Sequence, residues 1–399
     1  DFGVFMAGKA EAAGPLWEQI EQQVATDDPP AEGKEILANV AAMRAMGATF
    51  RGDMAQAVEL AHRADELLSP DNLIPRNTIP FILASAYSAE GDLVQAARAL
   101  AEELEIGQAS DSLWTIVRSL CDLADVRMIE GRLGDAADLG HTALRQADAR
   151  GARQFGTVGH VLVKLAEILY ERNELESAHN HVAEGVDLMH GWGQPYEMAS
   201  GYMVLATVLQ ARHDPVGARA ALRKAEEIQS RHPNYLKLSS LVRVCRIRLC
   251  LAQDGPTEAA RQAAEIRLGE MRVPIFQEWE RIILAQVLAA AERWDEALPL
   301  LDELAASAES GARFGRLLEI LALQAVAWHA RGETDLALSA LEKALAIAKP
   351  QGYVRVFVER GTPMAGLLRQ AAARAVGTKA RYVNTLLRAL RAAAPEPAA

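Results

Sequence analysis

The stretch Ala84–Leu100, ASAYSAEGDLVQAARAL, contains the unit from which the fold can be derived. An apolar run ends at the turn Gly91-Asp92, and a second run begins with Leu93 and carries Ala96 five residues after the glycine. Glycine accepts the left-handed conformation that commonly ends a helix. A carboxylate beside it interacts favourably with the N-terminus of the next helix. The stretch therefore predicts a hairpin of two antiparallel helices.

The same pattern returns along the whole chain with a period near 40 residues. An alanine stands at the equivalent anchor position of each copy: Ala57, Ala96, Ala136, Ala178, Ala218, Ala259, Ala297 and Ala337. Successive anchors are 39, 40, 42, 40, 41, 38 and 40 residues apart. Hairpins of this length cannot bury their apolar faces alone and must stack. We predict an all-α, tetratricopeptide-like superhelix (an α-solenoid) of about eight helix-turn-helix repeats, with the anchors packed where two helices approach closely.

The repeats divide the chain into two predicted regions. Residues 1–349 are expected to form the helical repeat domain, with an incomplete first repeat at 1–30, so the sequence is expected to be a fragment. Residues 350–399 are expected to form a helical neck and linker. Within this neck, Tyr353–Val358 is expected to be an extended or single-turn connector, followed by helices at Met364–Ala375 and from Thr378 to about Arg391.

Some turns lack the expected glycine. Asn173, His213 and Glu292 replace it in repeats four, five and seven, and in repeat six the glycine moves one place to Gly255. Asparagine tolerates the left-handed conformation moderately well. We therefore expect His213 and Glu292 to make different turns.

Composition restricts the class of protein. Half of the residues are hydrophobic and only 5% are aromatic, which is typical of alanine- and leucine-rich helices. The net charge of -11 repels a phosphate backbone, and no GxxxxGK[ST] loop for a nucleotide is present. Three cysteines without a CxxC pair indicate a reducing, cytoplasmic compartment. No apolar run is long enough to predict a membrane partner.

The carboxy-terminal part resembles a known family. GYVRVFVERGTPMAGLLRQAAARA (Gly352–Ala375), followed by RYVNTLLRAL (Arg381–Leu390), is similar to the segment before the DNA-binding domain in MalT-like, LuxR-type large ATP-binding transcriptional regulators. The similarity extends back through EWERIILAQVLAAAERWDEALPLLDEL (Glu278–Leu304) and AEILYERNELESAHNHVAEGVDLMHGW (Ala166–Trp192). The usual acidic residue before the final glycine is Arg360 here.

The resemblance implies a function for the chain. It would be the effector-sensing and protein-interaction or oligomerisation domain of a bacterial transcriptional activator, between a nucleotide-binding switch and a helix-turn-helix. Its partners would be a small-molecule effector or peptide in the concave groove, a second copy or the regulator's own ATPase domain, and DNA only through a C-terminal domain absent from this sequence. The alternative is a general peptide-binding tetratricopeptide scaffold.

Scarce aromatic residues are the candidates for ligand contact. First helices line the concave face of a stacked-hairpin solenoid, where aromatic side chains offer flat binding surfaces. Our candidates are Tyr170, Trp192, Tyr196 and Tyr202. The same rings can equally fill gaps between alanine-rich helices.

No catalytic residue, cofactor or metal site is expected. His179 and His181 are two positions apart and point to different faces of a helix, so they do not predict a metal site. Glu167, Glu171 and Glu174 are expected to lie at an exposed helix end, and no nucleophile accompanies them. From Arg360 onward the sequence contains seven cationic residues and one carboxylate. This basic segment predicts a neck beside DNA, a neck docked on an acidic repeat surface, or a solvated helix face.

Overall fold

The computed structural model describes residues 10–24, 29–69, 76–191, 195–266, 273–374 and 377–393. In these ranges the chain forms twenty helices and no strand, which confirms the predicted all-α solenoid. The helices are α1 Ala10–Val24, α2 Ala31–Arg51, α3 Met54–Leu67, α4 Thr78–Glu90, α5 Leu93–Ala109, α6 Leu113–Ile129, α7 Leu133–Ala149, α8 Gly156–Glu171, α9 Leu175–Met189, α10 Pro195–Ala211, α11 Pro215–Arg231, α12 Leu236–Gln253, α13 Pro256–Ala263, α14 Pro274–Ala290, α15 Trp294–Ser310, α16 Phe314–Ala330, α17 Thr334–Gln351, α18 Arg355–Val358, α19 Gly361–Arg374 and α20 Gly377–Ala393.

Helices α2 to α17 form eight hairpins, in which the even-numbered helix comes first. All eight anchor alanines lie in the second helices and are fully buried, with 0% of their surface exposed. Each anchor N–H also donates to the carbonyl of the residue four positions earlier, as Ala96 does to Asp92. The anchor therefore closes the first turn of the second helix, and its small side chain fits the buried helix crossing.

The turn between the two helices is more uniform than the sequence predicts. Asn173, His213 and Glu292 have φ of 63°, 64° and 58°, in the same left-handed region as Gly91. The expectation that His213 and Glu292 make different turns is therefore wrong. At both, the next N–H donates to the carbonyl five residues back, at 2.9 Å, as it does after Gly91. These bonds satisfy carbonyls at the helix end and offset the cost of the left-handed conformation, about 1–2 kcal/mol.

The superhelix closes on itself. Helix α2 contacts α12, α4 contacts α14, and α6 contacts α16, each five hairpins further along the chain. Helix α8 contacts α18 of the neck in the same way. Gly131 and Gly315 make one of the closest approaches, because a Cβ on Gly131 would lie 3.0 Å from the Gly315 nitrogen. The second turn of the superhelix thus rests directly on the first.

The neck is packed onto the repeats. Residues 355–358 form a single helical turn, as expected for the connector, and Phe357 is fully buried in the same core as α6 and α16. The Tyr382 hydroxyl donates to the Tyr353 carbonyl. Lys379 of α20 pairs with Glu342 of α17 at 3.0 Å. At least this cation of the basic segment is therefore docked on a repeat carboxylate.

The anchor packing predicts the effect of an enlarged side chain. Replacing Ala136 by Leu places three extra carbons at a fully buried position of α7 and should lower the free energy of unfolding by about 1–3 kcal/mol. Urea denaturation measures this. Ala149→Leu, at the exposed end of the same helix, is the matched control and should change stability little. Equal stability of the two variants would contradict the anchor assignment.

The contact between superhelical turns makes a second prediction. A Cβ added at Gly315 would overlap the backbone carbonyl oxygen of Met128, so Gly315→Ala should lower the free energy of unfolding by about 1–3 kcal/mol. Small-angle scattering should also show a larger radius of gyration. In α7, Gly134→Ala meets only the Gln351 side chain at 3.5 Å and should be neutral or stabilising by up to about 1 kcal/mol. An unchanged Gly315→Ala variant would argue against tight turn-to-turn packing.

Candidate functional site

A partly open cavity of about 440 Å³ lies inside the superhelix. All eight first helices, α2 to α16 in even numbers, contribute to its wall. The neck adds Tyr353, Val356, Glu359 and Arg360. The inner face of the repeats and the neck therefore line one common space.

Part of the wall is apolar and aromatic. Phe81 and Ile82 of α4 lie on it, together with Ile275, Phe276 and Trp279 of α14. The Phe276 and Trp279 rings are 5.1 Å apart between centroids. The Trp279 indole Nε1 is buried and has no hydrogen-bond partner among the described residues. This side offers apolar contact and one free donor to a guest.

The other side of the wall is charged, and most of its charges are paired. Lys164 of α8 bridges Asp125 of α6 and Glu167, with both nitrogen-to-oxygen distances at 2.5 Å. Glu319 of α16 pairs with Arg248 of α12 at 3.1 Å and with Arg316 at 3.6 Å. These bridges join four first helices. They neutralise charges that would otherwise be costly to hold in a partly enclosed space.

Four charged side chains on this wall lack such a partner. Asp122 and Glu171 form no hydrogen bond or ion pair through their carboxylates with the described residues, and the Glu197 carboxylate accepts only from its own backbone N–H. The buried Asp122 Oδ2 atom has no hydrogen-bond partner there. The Lys237 ammonium lies 4.4 Å from the Tyr196 ring centroid and donates to the hydroxyl of the same tyrosine, and it forms no ion pair within the described ranges. Unpaired groups in a cavity are available to a ligand.

Burial raises the pKa of all three carboxyls, that of Glu197 included, and Asp122 and Glu171 shift furthest. It raises the pKa of Asp122 to about 7, and the neighbouring Asp125 charge adds to the rise. It raises the pKa of Glu171 to about 8, with further contributions from Glu359 and Glu319. Desolvation disfavours the charged form, and like charges nearby disfavour it further. Both carboxyls therefore titrate near neutral pH.

The structure places the four candidate aromatic residues differently. Tyr170 and Tyr196 both line the cavity. Tyr202 does not line it, and its hydroxyl lies 3.3 Å from His190 Nε2. Trp192 falls in 192–194, outside the described residues.

The expected exposed carboxylate row is wrong in two of its three positions. Glu167 and Glu171 point into the cavity, whereas Glu174 is exposed. The physical reason is the superhelical closure, which brings the neck over the end of α8. A helix end that would face water in an open ribbon is covered here.

The neck contacts the cavity wall through a polar junction at the end of α8. The Tyr170 hydroxyl donates to Glu359, and Arg355 lies 3.3 Å from the same hydroxyl. The Val354 N–H donates to the Glu171 carbonyl at 2.8 Å. A guest beside Glu171 would therefore meet both a repeat helix and the neck.

The described part of the chain has neither a metal-binding cluster nor a membrane-spanning helix. No group of three or more His, Cys, Asp or Glu side chains there is arranged to hold a metal ion. None of its helices combines the length and apolar character needed to cross a membrane.

The chain matches a known protein family. The family model for the MalT-like TPR region matches residues 38–375, most of the repeats and part of the neck. The chain belongs to this family. The match ends inside the segment that carries the resemblance noted in the sequence, and the cavity lies within the matched region.

Solved structures distant in sequence share the fold of this MalT-like TPR region. A Rap protein complexed with competence and sporulation factor is 13% identical with a TM-score of 0.61, and the alignment covers 88% of this chain and 96% of that one. NprR in complex with its cognate peptide NprX is 12% identical with a TM-score of 0.55, over 89% and 99% of the two chains. Identities this low show a common fold alone.

Sequence reasoning missed most of the polar residues of the site. Asp122, Asp125, Lys164 and Lys237 interrupt apolar stretches of first helices, as in LCDLAD and VLVKLAE. A charged residue inside an otherwise apolar stretch of a first helix was the available signal. It could not show which of these charges face a common space.

The raised pKa of Glu171 predicts a pH-dependent stability. A carboxyl whose pKa is about 8 in the fold and about 4.3 when unfolded stabilises the protein fully below the lower value, and this contribution is lost as pH rises through the higher one. Glu171→Gln, which cannot ionise, should therefore lose less stability than the unsubstituted chain between pH 6.5 and 8. Denaturation midpoints at the two pH values measure the difference. Glu174→Gln, at the exposed turn, should keep the original slope; a Glu171→Gln slope equal to it would contradict the raised pKa.

Proposed function

We propose that the chain is the effector-sensing and protein-interaction or oligomerisation domain of a bacterial LuxR-type, MalT-like transcriptional activator. The observation that carries this proposal is the cavity, whose wall is shared by the repeats and the neck. Its volume of about 440 Å³ falls within the range of roughly 300–1,000 Å³ typical of small-molecule sites. Membership of the MalT-like TPR family supports a regulatory role.

The shared wall gives a physical route from ligand to output. A ligand in the cavity contacts the first helices and the neck residues Glu359 and Arg360 together. It therefore binds best when the neck is docked, and it shifts the equilibrium toward that arrangement. The partner that reads this change would be a second copy or the regulator's ATPase domain. DNA would be bound by a domain outside this sequence, in the cytoplasm, and the chain itself would bind its ligand without catalysis.

The alternative function is a general peptide-binding scaffold. It is supported by the two structurally similar proteins, since Rap was solved in complex with competence and sporulation factor and NprR in complex with its cognate peptide NprX. Those ligands belong to those proteins. Short peptides are therefore included in the test together with metabolites.

A thermal-shift screen with a blocked cavity tests the proposal. A compound that binds only the folded chain should add about 2.7 kcal/mol of stability at one hundred times its dissociation constant. Ser200→Trp, which places a large ring on the cavity wall, should abolish that stabilisation. Ser177→Trp, on the exposed face of α9, should retain it.

The outcomes separate the two functions. Stabilisation by one metabolite that is lost in Ser200→Trp supports the effector sensor. Retention of many unrelated peptides, with no metabolite effect, supports the scaffold. Stabilisation that Ser200→Trp leaves intact would show that binding occurs outside the cavity and would contradict the proposal.

A further inference from the structure

The charges left unpaired in the cavity define which ligands it can hold. Lys164, Arg248 and Arg316 each have a carboxylate partner on the wall, and Arg360 lies 3.9 Å from Glu359. Among the described lining residues, three carboxyl groups lack an ion-pair partner, Asp122, Glu171 and Glu197, against one ammonium, that of Lys237. Glu197 accepts from its own backbone N–H and Lys237 donates to Tyr196, so Asp122 and Glu171 are the two carboxyls left without any partner. A guest that completes the pairing must bring positive charge.

The first unpaired site lies where α6, α10 and α12 meet. Asp122 faces Asp125 and Arg118 on its own helix, Glu197 on α10 and Lys237 on α12. The adjacent wall carries a row of rings: Phe50 and Tyr235 have centroids 4.4 Å apart, and Tyr235 and Tyr196 5.7 Å apart. Carboxylates beside aromatic faces are the environment in which proteins bind organic cations.

The second unpaired site lies at the end of α8. Glu171 faces Glu319 and Arg316 of α16, Arg248 of α12 and Glu359 of the neck. Both arginines already pair with Glu319, and Glu359 accepts from Tyr170. Of the groups at this second site, only the Glu171 carboxylate has no partner in the described part of the chain. It lies against the neck.

We propose that the cavity binds an organic cation, an amine or guanidine with an aliphatic or aromatic body, whose charged groups pair with Asp122 at one site and Glu171 at the other. This inference rests on the proposed sensor function and names the ligand class. A neutral polyol would leave both carboxyls without a counter-charge. Among the described residues that line the cavity, an anion would find only one cation without an ion-pair partner, Lys237. The apolar side of the wall, with Phe276 and Trp279, accommodates the body of the ligand.

Proton release distinguishes this ligand class from the others. With pKa values of about 7 and 8, Asp122 and Glu171 are partly or mostly protonated at pH 7. A cation bound beside them favours the ionised form and lowers both pKa values. Binding at pH 7 should therefore release about one proton per ligand. A neutral ligand should release none.

Calorimetric titration in two buffers of different ionisation enthalpy measures this release. The probes are butylamine, 1,4-diaminobutane, spermidine and agmatine, with 1,4-butanediol and succinate as matched neutral and anionic compounds. At least one amine should bind with proton release, and butanediol and succinate should not bind. Asp122→Asn and Glu171→Gln should each weaken amine binding at least tenfold, whereas Asp138→Asn, exposed on α7, should not change it.

The outcomes are distinct from those of the sensor function. Binding of an amine without proton release, or with unchanged affinity in Asp122→Asn and Glu171→Gln, overturns the inference, as does the absence of binding by every amine. If a neutral or anionic compound stabilises the chain and Ser200→Trp removes that effect, the sensor function stands and the cationic ligand is wrong. If no compound of any class stabilises the chain, both fall.

Discussion

Contact between successive turns of the superhelix is the constraint on which the rest of the structure depends. A stack of hairpins could remain an open ribbon, with its inner face exposed to water. Here Gly131 meets Gly315 closely enough to exclude a side chain, and the first helices α2, α4, α6 and α8 each touch a helix of the next turn. This contact converts the concave face into a partly enclosed space. The cavity, its buried charges and the covered end of α8 all follow from it.

A partly enclosed and partly charged interior must manage its own electrostatics. Bridges such as Lys164 to Asp125 and Arg248 to Glu319 connect first helices of neighbouring or next-neighbouring hairpins, so they link the repeats to one another while neutralising the wall. Where no bridge forms, burial raises the carboxyl pKa and keeps part of the charge off. Desolvation makes an unpaired carboxyl group energetically costly to bury, and it also strengthens the interaction of that group with a ligand.

The neck links this interior to the end of the chain. Its single helical turn lies over α8, and Glu359 and Arg355 meet Tyr170 there. In the proposed sensor, occupancy of the cavity and docking of the neck stabilise each other, since coupling between two sites is reciprocal. Arg360 lies 3.9 Å from Glu359 and lines the same space.

The sequence by itself determined the period, the eight hairpins and the buried positions of the eight anchor alanines. The reason is that turn chemistry and packing within a hairpin are local and repeat along the chain. Tyr170 and Tyr196 could be placed on first helices for the same reason. The left-handed turns at His213 and Glu292 are local too, because backbone hydrogen bonds at the helix end outweigh the preference of one residue. Tertiary structure alone decided that Glu167 and Glu171 face a cavity, because closure of the superhelix brings the neck over the end of α8.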